Sequence, residues 1–552
     1  MFIQRLSAGF LFRRLFMLKI ASVEQMRQIE AAADAGGLSY DQMMQNAGRA
    51  TALRAMAVLA GRENARVTVL VGPGNNGGDG LVAGRIIAQE SKAAVRFYLL
   101  KKRDENDPNL KAVRDAGLLV ADAEDDQRYR VLHHMTGSAD LLIDALFGIG
   151  IRLPLGAEAA RLLQSIHRTL NDLQTSELEI PVITPSQPSP TVRRLPYVLA
   201  VDCPSGLDCD TGALDKNTIF ADETITYIAA KPGLFTFPGA SAVGKLTIST
   251  IGVPDNLPEL KSEKRFLVDG GLVRKRLPAR PLNSHKGTYG RALIVAGSGN
   301  YVGAPGMAAA AAYRAGAGLI TVAAPPNVIN ILSGSLFEPT WIPLPSDGGA
   351  KLILSELESA NALLIGPGWG RETATRDLLI SLLDQKSENF PPMIIDADGL
   401  NLLSEIENWW TLLPPNTVIT PHPGEMSRLC KTDTSTVQAN RWTLAAEKAA
   451  EWGTVVLLKG AHTLIAHPDG QIAVLPFKTD ALAKAGTGDV LSGIIVGLLA
   501  QGLSPFDAAI TGGYVHGLAA ELAAQRSNTR SVIASDVIAL LGTAFNHLEM
   551  TL

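Results

Sequence analysis

Near the C-terminus, KAGTGDVLSG at 484–493 sets Gly486 and Gly488 around a threonine, then Asp489, then an apolar run. A glycine-rich turn entering a helix exposes unpaired N–H groups and the positive end of the helix dipole, a place suited to phosphate. Asp489 would repel a phosphate unless it had a task there. Accepting a proton from a hydroxyl that attacks a phosphoryl group is such a task. A plain Asp N-cap on a buried helix fits these ten residues equally well. Four further turns belong with this one: GSGNYVGAPGM (297–307), IGPGWG (365–370), TPHPGEM (420–426) with His422 and Glu425, and LLKGAHTLI (457–465) with Lys459. No glycine-rich turn is followed by the G-K-[ST] of a Walker A loop, so P-loop nucleotide binding is excluded.

A second set lies in the first half. In VGPGNNGGDGLVAGR (71–85), Gly72, Gly74 and Gly77 satisfy G-x-G-x-x-G, the dinucleotide fingerprint. The rest of the unit disagrees with it. The basic run KKRDEN stands where a ribose-binding acid is needed, and Asp79 stands where a pyrophosphate would lie. The paired amides Asn75 and Asn76 bring carbonyl oxygens that suit a hard cation or a polar substrate. Asp144 in LLIDALFGIG and Asp202 with Ser205 in VLAVDCPSGLD end two more apolar runs. Singly such acids are more often caps or turn residues; at three carboxyl ends of one doubly wound sheet they converge on a site.

The elements that must position these groups follow from the pattern. RVTVLVGPG, AVRFYLL, LLIDALFG and YVLAVDCPSG alternate with helix-length segments, and a second series follows residue 285: RALIVAGSG, GLITVAAPP, ALLIGPG, PMIIDADG, TVITPHPGE and TVVLLKG. Continuous apolar strands alternating with helices predict parallel sheets covered on both faces. The fold class is therefore α/β with two doubly wound domains, 17–255 and 284–552, joined by a charged, Pro-containing connector at 256–283. ELEIPVITPSQPSPTVRRLP (177–196) reads as a surface insertion.

At 552 residues the chain exceeds one ordinary core. Hydrophobic content of 46%, charged content of 19% and 52 glycines suit a loop-rich α/β enzyme. A net charge of −4 gives no reason to expect nucleic acid or an anionic membrane as partner. Cys203, Cys209 and Cys430 make neither a disulfide framework nor a zinc site, which points to a reducing cytoplasm. No later stretch reaches the roughly 18 apolar residues of a membrane span. The acid-free start MFIQRLSAGFLFRRLFML is either a targeting segment or an extension ahead of Met17.

GNNGGDG, DALFGIG and DCPSGLD together resemble the N-terminal domain of the NAD(P)H-hydrate epimerases, over about 20–255. That resemblance implies that Asn75, Asn76, Gly77, Gly78 and Asp79 contact the hydrated nicotinamide nucleotide. It also assigns Gly148, Ile149, Gly150, Ile151, Arg152, Leu153 and Pro154 to the substrate, although GIGIRLP departs from the family's usual G-T-G-L. It further implies that Asn76, Asp144 and Ser205 bind a potassium ion and that Asp202 contacts substrate. We expect Asp202 to transfer the proton at the hydrated ring.

The second half, with its G-x-G-D turn, is similar to the ribokinase-type superfamily. More narrowly, SHKGTYGRALIVAGS, DADGLNLL, TPHPGEM, KGAHT and AGTGDVLSG resemble the ADP- or ATP-dependent NAD(P)H-hydrate dehydratases, over about 265–548. The resemblance implies Asp489 as the base on the C6 hydroxyl of the hydrate. It assigns Ala304, Gly368 and His422 to the hydrate, and Lys459, Gly460, Ala461, His462, Thr463 and Gly488 to ADP or ATP with magnesium. The expected substrates are NADHX and NADPHX, the expected nucleotide ADP, and the expected assembly a homo-oligomer. Two rivals predict different products. A small-metabolite kinase would use Asp489 to make a stable phosphate ester, and a first half acting only as a binding module would leave the epimers unexchanged.

Overall fold

The computed structural model describes residues 17–175, 195–345, 349–384 and 390–550. The opening 16 residues and nearly all of the Pro-rich stretch 177–196 lie outside the described residues. The chain divides into two compact units, Met1–Glu263 and Lys264–Leu552. The division falls inside the expected connector, which contributes elements of its own: a strand at Arg265–Leu267 and a short helix at Gly270–Arg274.

In the first unit the strands are β1 Arg66–Val71, β2 Ala94–Leu99, β3 Leu119–Asp122, β4 Leu141–Ala145, β5 Tyr197–Val201, β6 Glu223–Tyr227 and β7 Lys245–Ser249. They form one sheet in the order β3-β2-β1-β4-β5-β6-β7, every pair parallel. Both faces are covered, as the continuous apolar strands demand. Val67, Val69 and Val71 point into one core cluster while Leu70, between them, points into the other. Helices α1 Val23–Ala35, α2 Tyr40–Val58 and α3 Asn75–Glu90 belong to the first of these clusters. The order reverses between β1 and β4, and there the chains nearly touch. A Cβ at Gly72, just past β1, would stand 1.7 Å from the carbonyl oxygen of Leu146, just past β4.

The second unit repeats the principle with other strands: β8 Arg265–Leu267, β9 Arg291–Val295, β10 Leu319–Ala324, β11 Thr340–Pro343, β12 Ala362–Ile365, β13 Met393–Ile395, β14 Thr417–Ile419, β15 Val455–Leu458, β16 Leu464–Ala466 and β17 Ile472–Val474. Their order is β8-β17-β16-β15-β14-β13-β12-β9-β10-β11; pairing is parallel except where β16 meets β15 and β17. The reversal lies between β9 and β12. Helix α4 Gly303–Arg314 packs on the later α6 Thr487–Ala500. Their backbones approach so closely that a Cβ at Gly493 would lie 2.2 Å from the Ala308 carbonyl oxygen, and one at Gly497 2.7 Å from that of Ala312. This is why AAAAAYR faces a helix with glycines at 493 and 497, one turn apart. Between α4 and α6 comes the short α5 Pro423–Leu429, and α7 Pro505–Arg526 completes the core.

Candidate active sites

In the first unit a cavity of about 870 Å³ opens at the β1/β4 reversal. This is the crevice where an open α/β sheet places its ligand. The turn after β1 runs straight into α3, whose N-cap, Gly74, offers no side chain to cap the helix. Asn75 and Asp79, four residues apart, share a face of that helix and line the cavity together with Asn76. Gly77 and Gly78 do not line it. A Cβ at Gly77 would lie 2.0 Å from the Gly72 carbonyl oxygen and one at Gly78 2.6 Å from Met44 Sδ, so these glycines let the helix seat against its surroundings. Of the segment 148–154, Gly148, Ile149, Gly150 and Ile151 line the cavity, whereas Arg152, Leu153 and Pro154 lie beyond the lining.

Asp202 lies at the inner wall. It directly follows β5 with φ of +66°, a left-handed conformation that costs a non-glycine residue about 1–3 kcal/mol. One carboxylate oxygen, Oδ1, accepts from Lys231 Nζ at 2.6 Å and Thr226 Oγ1 at 3.0 Å. The other, Oδ2, and Asn76 Oδ1 each lie 3.3 Å from the place a Cβ on Gly148 would occupy. Lys231 is 1% exposed. Burial works against its charge, but Asp202, together with Cys209 and Cys203, turns the net shift of the lysine upward. A buried ion pair seldom adds net stability over apolar packing, so its place beside a cleft points to chemistry. Lys231 was not singled out from the sequence.

Asp144 and Ser205 are wholly buried and bonded to each other. Ser205 Oγ donates to Asp144 Oδ1 at 2.6 Å and Ser205 N donates to Oδ2 at 2.9 Å. Burial still raises the pKa of Asp144. Asn76, 8% exposed, has neither its amide oxygen nor its amide nitrogen satisfied. A buried acceptor without a donor, among carboxylates, fits a weakly held monovalent cation. Among the described residues no group of three or more His, Cys, Asp or Glu could hold a metal; the expected set differs in drawing on amide and hydroxyl oxygens. Arg103, from the basic run after β2, braces the turn by donating from Nη1 to the Gly72 and Gly74 carbonyls at 2.7 and 3.0 Å.

In the second unit, strand ends meet in the same manner. Gly366, just past β12, has φ of +114°, and a Cβ there would lie 1.9 Å from the Asp396 carbonyl oxygen past β13. Asp396 is 1% exposed and is the hub of the site. Its Oδ1 accepts from Lys459 Nζ and from Ala397 N, both at 2.8 Å, and its Oδ2 accepts from Ser492 Oγ of α6. Burial opposes its ionisation, but Lys459 and these bonds hold its pKa below the usual range. Asp489 is the third residue of α6, not its cap; that place belongs to Gly486, at φ of +86°. Burial, then the charge of Asp396, pushes Asp489 up to about 7. A base with its pKa near the working pH is well matched to proton transfer.

A cavity of about 210 Å³ adjoins this cluster, lined by Lys459, Gly460, Ala461, Thr463 and Gly488 together with His516 of α7. His462, expected among the nucleotide contacts, does not line it. Its ring is buried and Nδ1 lies 3.2 Å from the Leu475 carbonyl, which it faces as a donor. Lys459 lines the cavity as expected, with its ammonium engaged by Asp396 and 3.6 Å from Glu425. Arg441 supports the Lys459–Gly460 turn by donating to the carbonyls of Leu458 and Lys459 at 3.2 and 3.3 Å.

Ala304 and Gly368 meet across the β9/β12 reversal. A Cβ at Gly368, whose φ is +59°, would lie 2.9 Å from that of Ala304. His422 caps α5. Its Nδ1 accepts from the N–H groups of Gly424 and Glu425, which leaves the neutral ring's proton on Nε2, 3.4 Å from Glu425 Oε1. The ring therefore offers a donor and no free acceptor. Burial, opposed by Lys459, pushes Glu425 up to about 7.

Two doubly wound units, each with acids gathered beside the carboxyl ends of its strands, define a two-domain α/β enzyme. The sequence comparisons give the family. The model described as NAD(P)H-hydrate dehydratase matches residues 292–541, and that described as YjeF-related protein N-terminus matches 40–233. The chain is 37% identical over 504 residues to a bifunctional NAD(P)H-hydrate repair enzyme of Moorella thermoacetica, covering 88% of each protein. It is 35% identical over 522 residues to that of Escherichia coli, covering 93% of this chain and 91% of the relative. An ADP/ATP-dependent NAD(P)H-hydrate dehydratase from Bacillus subtilis, co-crystallised with ATP and Mg2+, is 34% identical over 51% of this chain and 97% of its own, with a TM-score of 0.46. The chain belongs to the bifunctional NAD(P)H-hydrate repair enzymes.

Proposed function

We propose that the first unit interconverts the R and S epimers of NADHX and NADPHX at the Asp202 cleft, and that the second dehydrates the S epimer with ADP at Asp489. The observation that carries this reading is Asp489 itself, a half-buried carboxyl with pKa about 7 at the start of a long helix and beside a small cavity. There it takes the proton of the C6 hydroxyl as that oxygen attacks the terminal phosphoryl group of the nucleotide. The backbone N–H groups of the turn into α6 and the ammonium of Lys459 offset the charge on the transferred group. Phosphate then leaves from C6, a proton is lost from the neighbouring ring carbon, and the double bond of NAD(P)H is restored. Magnesium accompanies the nucleotide phosphates, whose charge it neutralises, and needs few protein ligands.

In the first unit, Asn76, Asp144 and Ser205 would hold potassium, which supplies a fixed positive charge beside the substrate. The orphaned amide of Asn76 supports that reading. Potassium should raise the melting temperature of the wild-type protein relative to sodium, and should not do so for Asp144→Ala. Equal melting in both salts would remove the potassium site. Free thiols at all three cysteines suit the expected reducing cytoplasm, and no helix among the described residues is long and apolar enough to cross a membrane. A homo-oligomer remains part of the same reading.

The test is to incubate enzymatically prepared hydrate with the full chain and ADP or ATP, following recovery of reduced nicotinamide absorbance and of free phosphate. A stable phosphorylated product without recovered absorbance would instead make the second unit a metabolite kinase.

A further inference from the structure

We propose that the first unit's cleft divides proton transfer between two carboxyls: Asp202 takes the hydroxyl proton, Asp79 supplies a proton to the ring nitrogen, and Lys231 is the positioning residue that fixes these roles. The proposal rests on the epimerase reading of this unit. The carbon to be inverted bears a hydroxyl and is bonded to the ring nitrogen. Inversion by ring opening needs a base at the oxygen and an acid at the nitrogen at once. Asp202 accepts the O–H proton as that electron pair forms the carbonyl. The C–N bond breaks, its electron pair stays on nitrogen, and Asp79 protonates that nitrogen. Rotation of the open aldehyde presents its other face. Asp79 then takes back the N–H proton as nitrogen adds to the carbonyl, and Asp202 returns its proton to oxygen. Nothing is consumed.

The geometry separates the two acids. Asp202 Oδ1 is occupied by Lys231 Nζ and Thr226 Oγ1, while Oδ2 faces the side of the cleft at Gly148 and Asn76. Asp79 lines the same cavity from α3, and among the described residues no cation pairs with it. Burial, then the charges of Asp202 and Glu30, pushes its pKa well up, which favours the protonated acid. One carboxyl held by a buried ammonium and one without a cation beside it are suited to opposite proton tasks. The other titratable groups around the pair are Glu30 and Arg27 of α1, Tyr40 and Asp41 of α2, Arg103 and Asp107 after β2, Tyr227 at the end of β6, and the buried Cys203 and Cys209 beside Lys231. Glu30 and Tyr227 are themselves raised, chiefly by burial.

The experiment follows conversion of pure R hydrate to S by the full chain without nucleotide, resolved by chromatography across pH. Asp79→Asn should lower kcat about 10²-fold and abolish the alkaline limb of the profile. Lys231→Met should leave KM unchanged and lower kcat about tenfold or more, because Asp202 loses the ammonium that orients its carboxylate. Thr226→Val should lower kcat by less at unchanged KM, and serves where Lys231→Met does not fold. If the wild type interconverts the epimers while Asp79→Asn keeps both its kcat and its alkaline limb, the proposal is overturned and the epimerase reading stands. A kcat unchanged in the Lys231 or Thr226 variant likewise overturns the role of Lys231. A wild type no faster than spontaneous epimerisation refutes the epimerase reading and the proposal with it.

Discussion

Asp489 is held against its chemistry: burial and the neighbouring Asp396 keep a proton on it up to pH about 7. In its proposed role as base it must lose that proton, so kcat/KM for dehydration should fall about tenfold per pH unit below pH 7, read from the rate of absorbance recovery. The same shift acts on stability with the opposite sense. An unfolded Asp titrates near about 4, so between pH 4 and 7 the folded state binds the extra proton and stability declines as pH rises through that window. Asp489→Asn should therefore slow dehydration by about 10²-fold or more, leave epimerisation intact, and melt higher than wild type at pH 8 but not at pH 4. Dehydration at wild-type rate in this variant would dismiss Asp489 as the base. Asp489 was legible because glycines and an apolar helix frame it. Lys231 was not: a single lysine before Pro232, 29 residues after Asp202, acquires meaning only when β6 brings it back beside β5. Asp396 was in view within DADG, but nothing in four residues separates it from Asp398, which accepts from Gly370 N instead.

At the scale of elements, each site exists because two strand ends cross within van der Waals distance, and a glycine permits the crossing. A Cβ at Gly72 would overlap the Leu146 carbonyl, whereas one at Gly74 would meet nothing within 4 Å. Gly72→Ala should therefore destabilise the first unit by about 1–3 kcal/mol or more and abolish epimerisation, leaving dehydration by the second unit in place. Gly74→Ala, two residues on in the same motif, should fold as wild type. Equal melting of the two variants in calorimetry would contradict the crossing. The strands that flank these turns were readable as apolar runs ending in Gly, Asp or Pro. Those that escaped notice, such as Glu223–Tyr227 and Lys245–Ser249, carry charge or threonine inside the strand. Glu223 is tolerated there because Arg54 Nη2 donates to its Oε2 at 2.8 Å and Thr247 Oγ1 to its Oε1 at 2.7 Å. Periodicity cannot reveal a partner that arrives from a helix 169 residues earlier.

The whole molecule is two catalysts on one chain, and the division of labour is separable if each unit closes its own sheet. The charge and proline content of 256–283 suggests a linker, but composition does not show that Arg265–Leu267 pairs in parallel with Ile472–Val474. That strand covers an edge of the second sheet, and its Phe266 is 1% exposed. A fragment beginning at 284 would lose this buried aromatic and expose the β17 edge. Removing a buried phenylalanine alone costs about 3–5 kcal/mol, a large part of a domain's usual 5–15 kcal/mol. We therefore expect 264–552 to fold and dehydrate S hydrate at the full-length rate, and 284–552 to melt well below it or to aggregate. Fragment 264–552 should leave R hydrate untouched beyond the spontaneous baseline, and residues 17–263 added in trans should restore its consumption, because the freed S epimer diffuses between them. Consumption of pure R by 264–552 alone, faster than a control without protein, would refute the assignment of epimerisation to the first unit.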